Sequence, residues 1–382
     1  MARECVAKYA DNISQHPVGT GAYLPNQLNL NQKIVAVRNP NYKHMTYPTE
    51  GNKGDAEKGL LADAGKALPF IDRIEIEVIV EDQPRWLKFM AGEIEASSVP
   101  KDNFSSALPG GKMAPELVAR GVQHFKEAKG DVTVQMFNMD DPVWGKKKEL
   151  RHAFALAVNV PEFIETQYSG QAIRAESVID PTQWGYEASY KSKWSERNLA
   201  RSRELLAKAG YPEGKGLPPL AILSTAGTTS RQFDERLEKQ MKEVGIVLKP
   251  EVMTWPEMMR RTHDHNFTMV GMAYASSIPD ADDATGIAHS KSIASGYNVT
   301  NYKNPVVDKL IDDIETLENG PARMAKIRKF REILDEDLPI FVMVHRVGNQ
   351  LVQPWVKNFA IVDESYLGRM IKYRKVIPAA VK

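Results

Sequence analysis

A single cysteine, Cys5, stands among 382 residues, so neither an intramolecular disulfide nor a cysteine-based zinc site can form. That scarcity fits a cytosolic chain, and equally an exported one whose core is large enough to need no covalent staple. Charge excess is missing as well. Fifty basic against forty-nine acidic residues leave +1, which gives no global attraction to nucleic acid or to an anionic membrane, and neither is expected as a partner. No apolar run approaches the length of a membrane span. The opening MARECVAKYADN has no apolar segment and no small-residue cleavage pattern, so it is not a signal peptide.

Catalytic signatures are absent too. There is no Gly-x-Ser-x-Gly elbow and no His-Glu-x-x-His helix. His263 and His265 are two apart in a helical stretch and point to different faces, against the geometry zinc requires. Asp280, Asp282 and Asp283 match half of a calcium loop, but the glycine and the distal glutamate are misplaced; a solvated loop is expected there. Acidic pairs never exclude a glycosidase by themselves. Nothing demands catalysis, and no cofactor is implied.

What is present describes a soluble chain long enough for two domains, 42% hydrophobic and 26% charged. Leu150, Ala153, Phe154, Ala157 and Val158 stripe one face of an amphipathic helix. Asn159 interrupts, and Pro161 sits where a first helical turn tolerates it. Ile71 to Val80 alternates, then turns apolar, which predicts a strand whose end lies deeper in a sheet. Trp86, Leu87 and Met90 share a helix face. Further strands are predicted at 33–37, 132–137, 220–224, 245–248, 268–274, 340–344 and 347–352. Helices alternate with the strands from residue 220 to 274, and that order implies a parallel α/β layer.

The literal residues add more. HPVGTGAY (16–23) followed by VRNPNY (37–42) is similar to the "PVGTGPY … NP-x-Y" block of family 5 solute-binding proteins, the dipeptide- and oligopeptide-binding type that serves ABC importers, with Ala22 in place of proline. LRHAFALAVN, the helix ending Tyr168-Ser169-Gly170, Pro181 and Gly185-Tyr186 resemble the opening of that family's second lobe. LLAKAGYPEGKG (205–216) resembles its "LL-x-x-AGY-P-x-G-x-G". The resemblance runs from residue 1 to about 360. It implies an α/β, two-lobed, type II periplasmic-binding-protein-like fold with an incomplete first lobe, since members carry a signal sequence and more of lobe one before this block. Residues 1–145 would be the remaining part of lobe one, 146–345 lobe two, and 346–382 a return to lobe one.

The function implied is binding of a peptide or other small polar solute in an inter-lobe cleft, with hinge closure and delivery to an ABC import permease. Such a protein would be monomeric and periplasmic, or extracellular and membrane-associated. A periplasmic enzyme or chaperone-like receptor on the same scaffold, or a fragment without function, are the alternatives. The family's "W-x-x-D-x-P-D" motif places Tyr274 at the tryptophan, Ser277 at the aspartate and Asp280 in the Pro-Asp. In peptide-binding members that aspartate pairs with the ligand's α-ammonium, so Ser277 implies a solute recognised in another way. Arg231 either meets a ligand carboxylate, which suits a guanidinium, or is an exposed arginine at a helix start. Thr228 and Ser230 either bond ligand or cap the helix. Trp184 either walls the cleft or packs in lobe two.

Overall fold

The computed structural model describes residues 3–29, 32–43, 45–51, 53–79, 81–359 and 370–377. The chain divides into two compact units, one of residues 1–126 and 349–382 and one of residues 127–348. The crossings fall at 126/127 and 348/349, not at 145/146 and 345/346. Pairing explains the shift: a strand over Asp131–Phe137 belongs to the second unit's sheet along its whole length.

Unit 1 opens with α1 (Arg3–Tyr9), which buries no residue. An antiparallel sheet follows, in the order β1 (Tyr23–Asn29), β2 (Lys33–Arg38), β3 (Arg73–Glu77). β3 is shorter than the alternation predicts and largely exposed. As an edge strand it has a neighbour on one side only, and Val78 beyond its end is exposed. α2 (Asp82–Ala91) buries Trp86 and Phe89 and leaves Leu87 in solvent, so the buried face is turned from the expected one. β4 (Ala96–Ser98), α3 (Phe104–Ala107), α4 (Pro115–Ala119) and β5 (Gln123–Ala128) complete the outward run.

Unit 2 is a sheet with helices on both faces. Its elements are β6 (Asp131–Phe137), α5 (Lys148–Ala157), α6 (Val160–Tyr168), β7 (Ala172–Arg174), α7 (Leu199–Lys208), β8 (Leu220–Thr225), α8 (Thr228–Lys242), β9 (Leu248–Met253), α9 (Trp255–His263), β10 (Met269–Ala275), α10 (Ala281–Thr285), α11 (Pro305–Thr316), α12 (Pro321–Asp337) and β11 (Ile340–Val352). β11 is one thirteen-residue strand where two were expected, with an irregularity between Val342 and Val344. Its last residues, from Asn349, lie in unit 1 and pair with β4. β12 (Val356–Lys357) and β13 (Lys375–Val376) close unit 1 as a two-stranded ladder.

The parallel layer expected over residues 220–274 is present in β8, β9 and β10, and the unit 2 sheet as a whole is mixed. β8 is parallel to β9 and to β10, while β6 is antiparallel to both β10 and β11. β9 starts at Leu248, three residues later than predicted, and tolerates Pro250 because it is an edge strand. Strand alternation sorts the core onto two faces. Phe137, Ile222, Met269 and Phe341 face α5 to α8, whereas Val134, Met136, Val270 and Val342 face α10 to α12.

α5 is buried from Leu150 through Ala157 on every side, not along one stripe. Arg151 makes that possible. Its guanidinium donates to the carbonyls of Trp144 (2.9 Å), Gly145 (2.7 Å), Asp337 (2.6 Å) and Leu338 (3.1 Å), and burial pushes its pKa down to about 10, still a cation at neutral pH. Gly145 has no alternative residue here, because a Cβ would lie 2.4 Å from the Asn138 carbonyl oxygen. Asn159 caps α6 by accepting from the Glu162 amide (3.3 Å), which explains the break before Pro161.

Phe154, fully buried, meets Phe137 and Phe341 edge-on at 5.3 and 6.0 Å. Phe154→Ala is expected to cost about 3–5 kcal/mol, read by urea denaturation; a loss below about 1 kcal/mol would show that this cluster does not anchor the helix.

Candidate functional site

Because β8, β9 and β10 run parallel, their carboxyl ends share one edge of the unit 2 sheet. β8 leads into α8 on one face, and its neighbour β10 leads into α10 on the other. Connections that leave adjacent strands for opposite faces create a crevice, the usual ligand position in open α/β sheets. The edge therefore gathers residues 225–231, 253–255 and 275–283, with Asp131 at the start of antiparallel β6 opposite Ala275.

On the α8 side, the helix begins at Thr228, so Ser230 and Arg231 lie in its first turn and not in a loop. The expected side-chain cap is missing. Gly227 is the N-cap, and the Ser230 hydroxyl instead meets the Thr225 hydroxyl at 2.8 Å. The first amides of α8 thus have no side-chain cap among the described residues, which leaves donors and partial positive charge at the edge. The Arg231 side chain is 69% exposed and lies 3.8 Å from Glu235. Trp255, at the start of α9, is 56% exposed at the end of β9. Sequence reading missed it, and its one signal was an aromatic placed between a predicted strand and a helix-starting proline.

The β10 side is more tightly built. Tyr274 is partly buried, its hydroxyl donates to the Tyr297 carbonyl (3.1 Å), and desolvation pushes its pKa up to about 12. Ser277 is exposed, and its amide donates to the Asp283 carboxylate. Asp280 caps α10 by accepting from the Asp282 amide (3.1 Å) and forms a two-point ion pair with Arg323, at 2.9 and 2.5 Å. Arg323 also donates to Asp282, and its guanidinium lies 5.0 Å from the centre of the Trp184 ring. Trp184 is partly buried against the α10–α12 core, which is the packing alternative.

The acidic cluster is therefore no solvated loop. Burial raises the Asp280 carboxyl pKa, but the Arg323 hydrogen bond, the Asp282 amide and the Arg323 charge outweigh it and hold the group below the usual range. At Asp282 burial wins, and the pKa rises. Asp283 stands apart: its carboxylate has the Ser277 amide and a long 3.5 Å approach of the Tyr297 hydroxyl, but no cation within 4 Å among the described residues. His265 lies beyond the end of α9 in left-handed backbone, its Nδ1 2.9 Å from the Val299 carbonyl. Among the described residues no three His, Cys, Asp or Glu side chains gather closely enough to hold a metal ion.

The structure thus joins Tyr274, Ser277, Asp280 and Trp184 in one network through Arg323, Asp283 and Tyr297, and sets Ser230 and Arg231 at the neighbouring strand end. Over residues 5–295 the chain matches the family model described as bacterial extracellular solute-binding proteins, family 5 Middle. The chain belongs to this family. Di/tripeptide-binding protein 1 of Pseudomonas aeruginosa (strain UCBPP-PA14) is 24% identical over 358 residues, covering 92% of this chain and 60% of that protein. Among solved structures, the periplasmic binding protein DppA from Helicobacter pylori in complex with peptide STSA superposes with a TM-score of 0.77 at 22% identity, over 98% of this chain and 67% of that one. AgaA from A. tumefacien R10, in complex with agropinic acid, gives 0.77 at 19% identity, over 99% and 71%. The family 5 chain described here spans about 60% of the length of the first curated relatives it matches.

Arg323 has a side chain only 4% exposed. Arg323→Leu would leave Asp280 and Asp282 without their cation and is expected to cost about 3–5 kcal/mol in urea denaturation. Since the folded Asp280 pKa is depressed, its contribution is complete above about pH 4 and is lost as pH falls through the folded value. The difference between wild type and variant should therefore shrink on acidification. A gap that widens as pH falls would refute this assignment.

Proposed function

We propose that this family 5 chain binds a small polar solute at the carboxyl edge of its unit 2 sheet and delivers it to an ABC import permease. In this reading it acts as a monomer, periplasmic or else extracellular and membrane-associated, and not as an enzyme. The observation that carries the reading is the pairing of opposite characters at adjacent strand ends. The first turn of α8 offers uncapped amides and Arg231 for an anionic group. The loop after β10 offers the Asp283 carboxylate, which has no cation within 4 Å among the described residues.

Serine at 277 taken alone favours an uncharged ligand. The carboxylate held against its amide favours a cationic one, and the second is the reading proposed. Peptide-binding and agropinic acid-binding proteins both stand among the structural neighbours, which keeps peptide and non-peptide solutes within the proposal. The hydroxyls, Arg231, Trp255 and the acidic groups at this edge suit recognition.

The test is a thermal-shift series with dipeptides and their N-acetylated forms. Ligand at 100 times its Kd stabilises a folded protein by about 2.7 kcal/mol, so a free-amine ligand should raise the Tm and its acetylated form should not. Asp283→Asn should weaken free-amine binding by about 10- to 150-fold, the value of a charged hydrogen bond. Equal shifts with free and acetylated ligands would sink the cationic reading, and hydrolysis of the ligand during the assay would sink the non-enzymatic one.

A further inference from the structure

On the face of the unit 2 sheet covered by α12, away from the carboxyl edge, a partly open cavity of about 10 Å³ has Ser177, Val178, Arg331, Leu334, Asp335 and Val342 in its lining. Space of that size holds about one water molecule. Two groups on its wall are charged, and one of them is incompletely bonded.

Arg331 has a side chain only 2% exposed. A guanidinium carries five N–H donors and cannot shed its proton at working pH. Nη2 donates to Glu187, and the guanidinium lies 4.4 Å from the centre of the Tyr190 ring. Nε and Nη1 are buried and meet no hydrogen-bond acceptor among the described residues. Buried donors of a permanent cation are among the groups least often left unbonded in folded proteins, and here they border a space that an acceptor fits.

Charge decides which acceptor. Glu187 also accepts from Arg328 (3.0 Å), and Asp335 faces the cavity while accepting from the Tyr190 hydroxyl (2.8 Å) and the Lys193 amide (3.3 Å). Arg331 and Arg328 stand against Glu187 and Asp335, and Arg174 and Lys193 also act on Asp335. A small anion would lie beside the Asp335 carboxylate. A neutral molecule that accepts from Arg331 and donates to Asp335 or Ser177 suits both walls.

We propose that this cavity is a resident water site, in which one ordered water accepts from Nε or Nη1 of Arg331 and links α12 to the Ser177–Val178 turn. The link has a consequence for the carboxyl edge. The same turn leads to Asp180, whose carboxylate accepts from the Ser276 hydroxyl, one residue before Ser277. The water buttresses that support from behind.

The experiment is a crystal structure of the wild-type chain grown with bromide, with data that resolve ordered water and a second set at the bromine edge. The expected result is a density peak without anomalous signal, about 2.7–3.2 Å from Nε or Nη1 of Arg331. An anomalous bromide peak in the cavity would overturn the proposal in favour of an anion site. An empty cavity, with Arg331 turned onto a protein carbonyl, would overturn it outright.

Discussion

Arg151 imposes the constraint on which unit 2 depends: a cation enclosed within a helix that is buried all round. Five N–H donors that cannot be neutralised must find acceptors, and they find main-chain carbonyls at both ends of the unit's long middle section. Trp144 and Gly145 belong to the loop after β6, and Asp337 and Leu338 close α12. One side chain therefore ties the loop before α5 to the end of α12, two pieces of chain almost two hundred residues apart. It also sets where β11 begins, because Leu338, in left-handed backbone, comes two residues before that strand.

From that fixed start the carboxyl edge follows. β11 enters beside β6 with Ile340 opposite Met136, and β6 enters beside β10 with Val132 opposite Tyr274. The register places Asp131 opposite Ala275, and Asp131 is held there by Arg346 (2.7 Å) on β11. A shift of one residue would reverse every side chain across the sheet, sending Tyr274 to the other face. The position of Tyr274 is thus tied, through two strand pairings, to acceptors around a buried arginine on a different helix.

How much of this was legible in the sequence depended on the range of the forces involved. Local signals were readable: Asn159 before Pro161, and the strand at 132–137. Burial was not. α5 reads as one-sided because Arg151 and His152 count as polar, whereas distant carbonyls let both go inside. β3 reads as entering a core because Ile76 and Val78 are apolar, yet an edge strand leaves them in solvent. The parallel layer of β8, β9 and β10 is legible in the helix–strand alternation of residues 220–274, whereas β6, a long way upstream, is what makes the whole sheet mixed.

The site shows the same division. Sequence marked Tyr274, Ser277 and Asp280 by their spacing along one loop, and spacing cannot reveal what reaches that loop from elsewhere. Arg323, more than forty residues downstream, takes Asp280 and Asp282 and stacks near Trp184. It thereby turns two of three acidic residues into structure and leaves the third without a cation within 4 Å among the described residues. Asp283 differs from its neighbours only in its position on a five-residue helix, which directs it back toward the Ser277 amide and away from Arg323. The ionic character of this edge is accordingly set by α12 as much as by the loop. A chain with the same loop but no arginine at 323 would offer three competing carboxylates where this one offers a single carboxylate in a defined place.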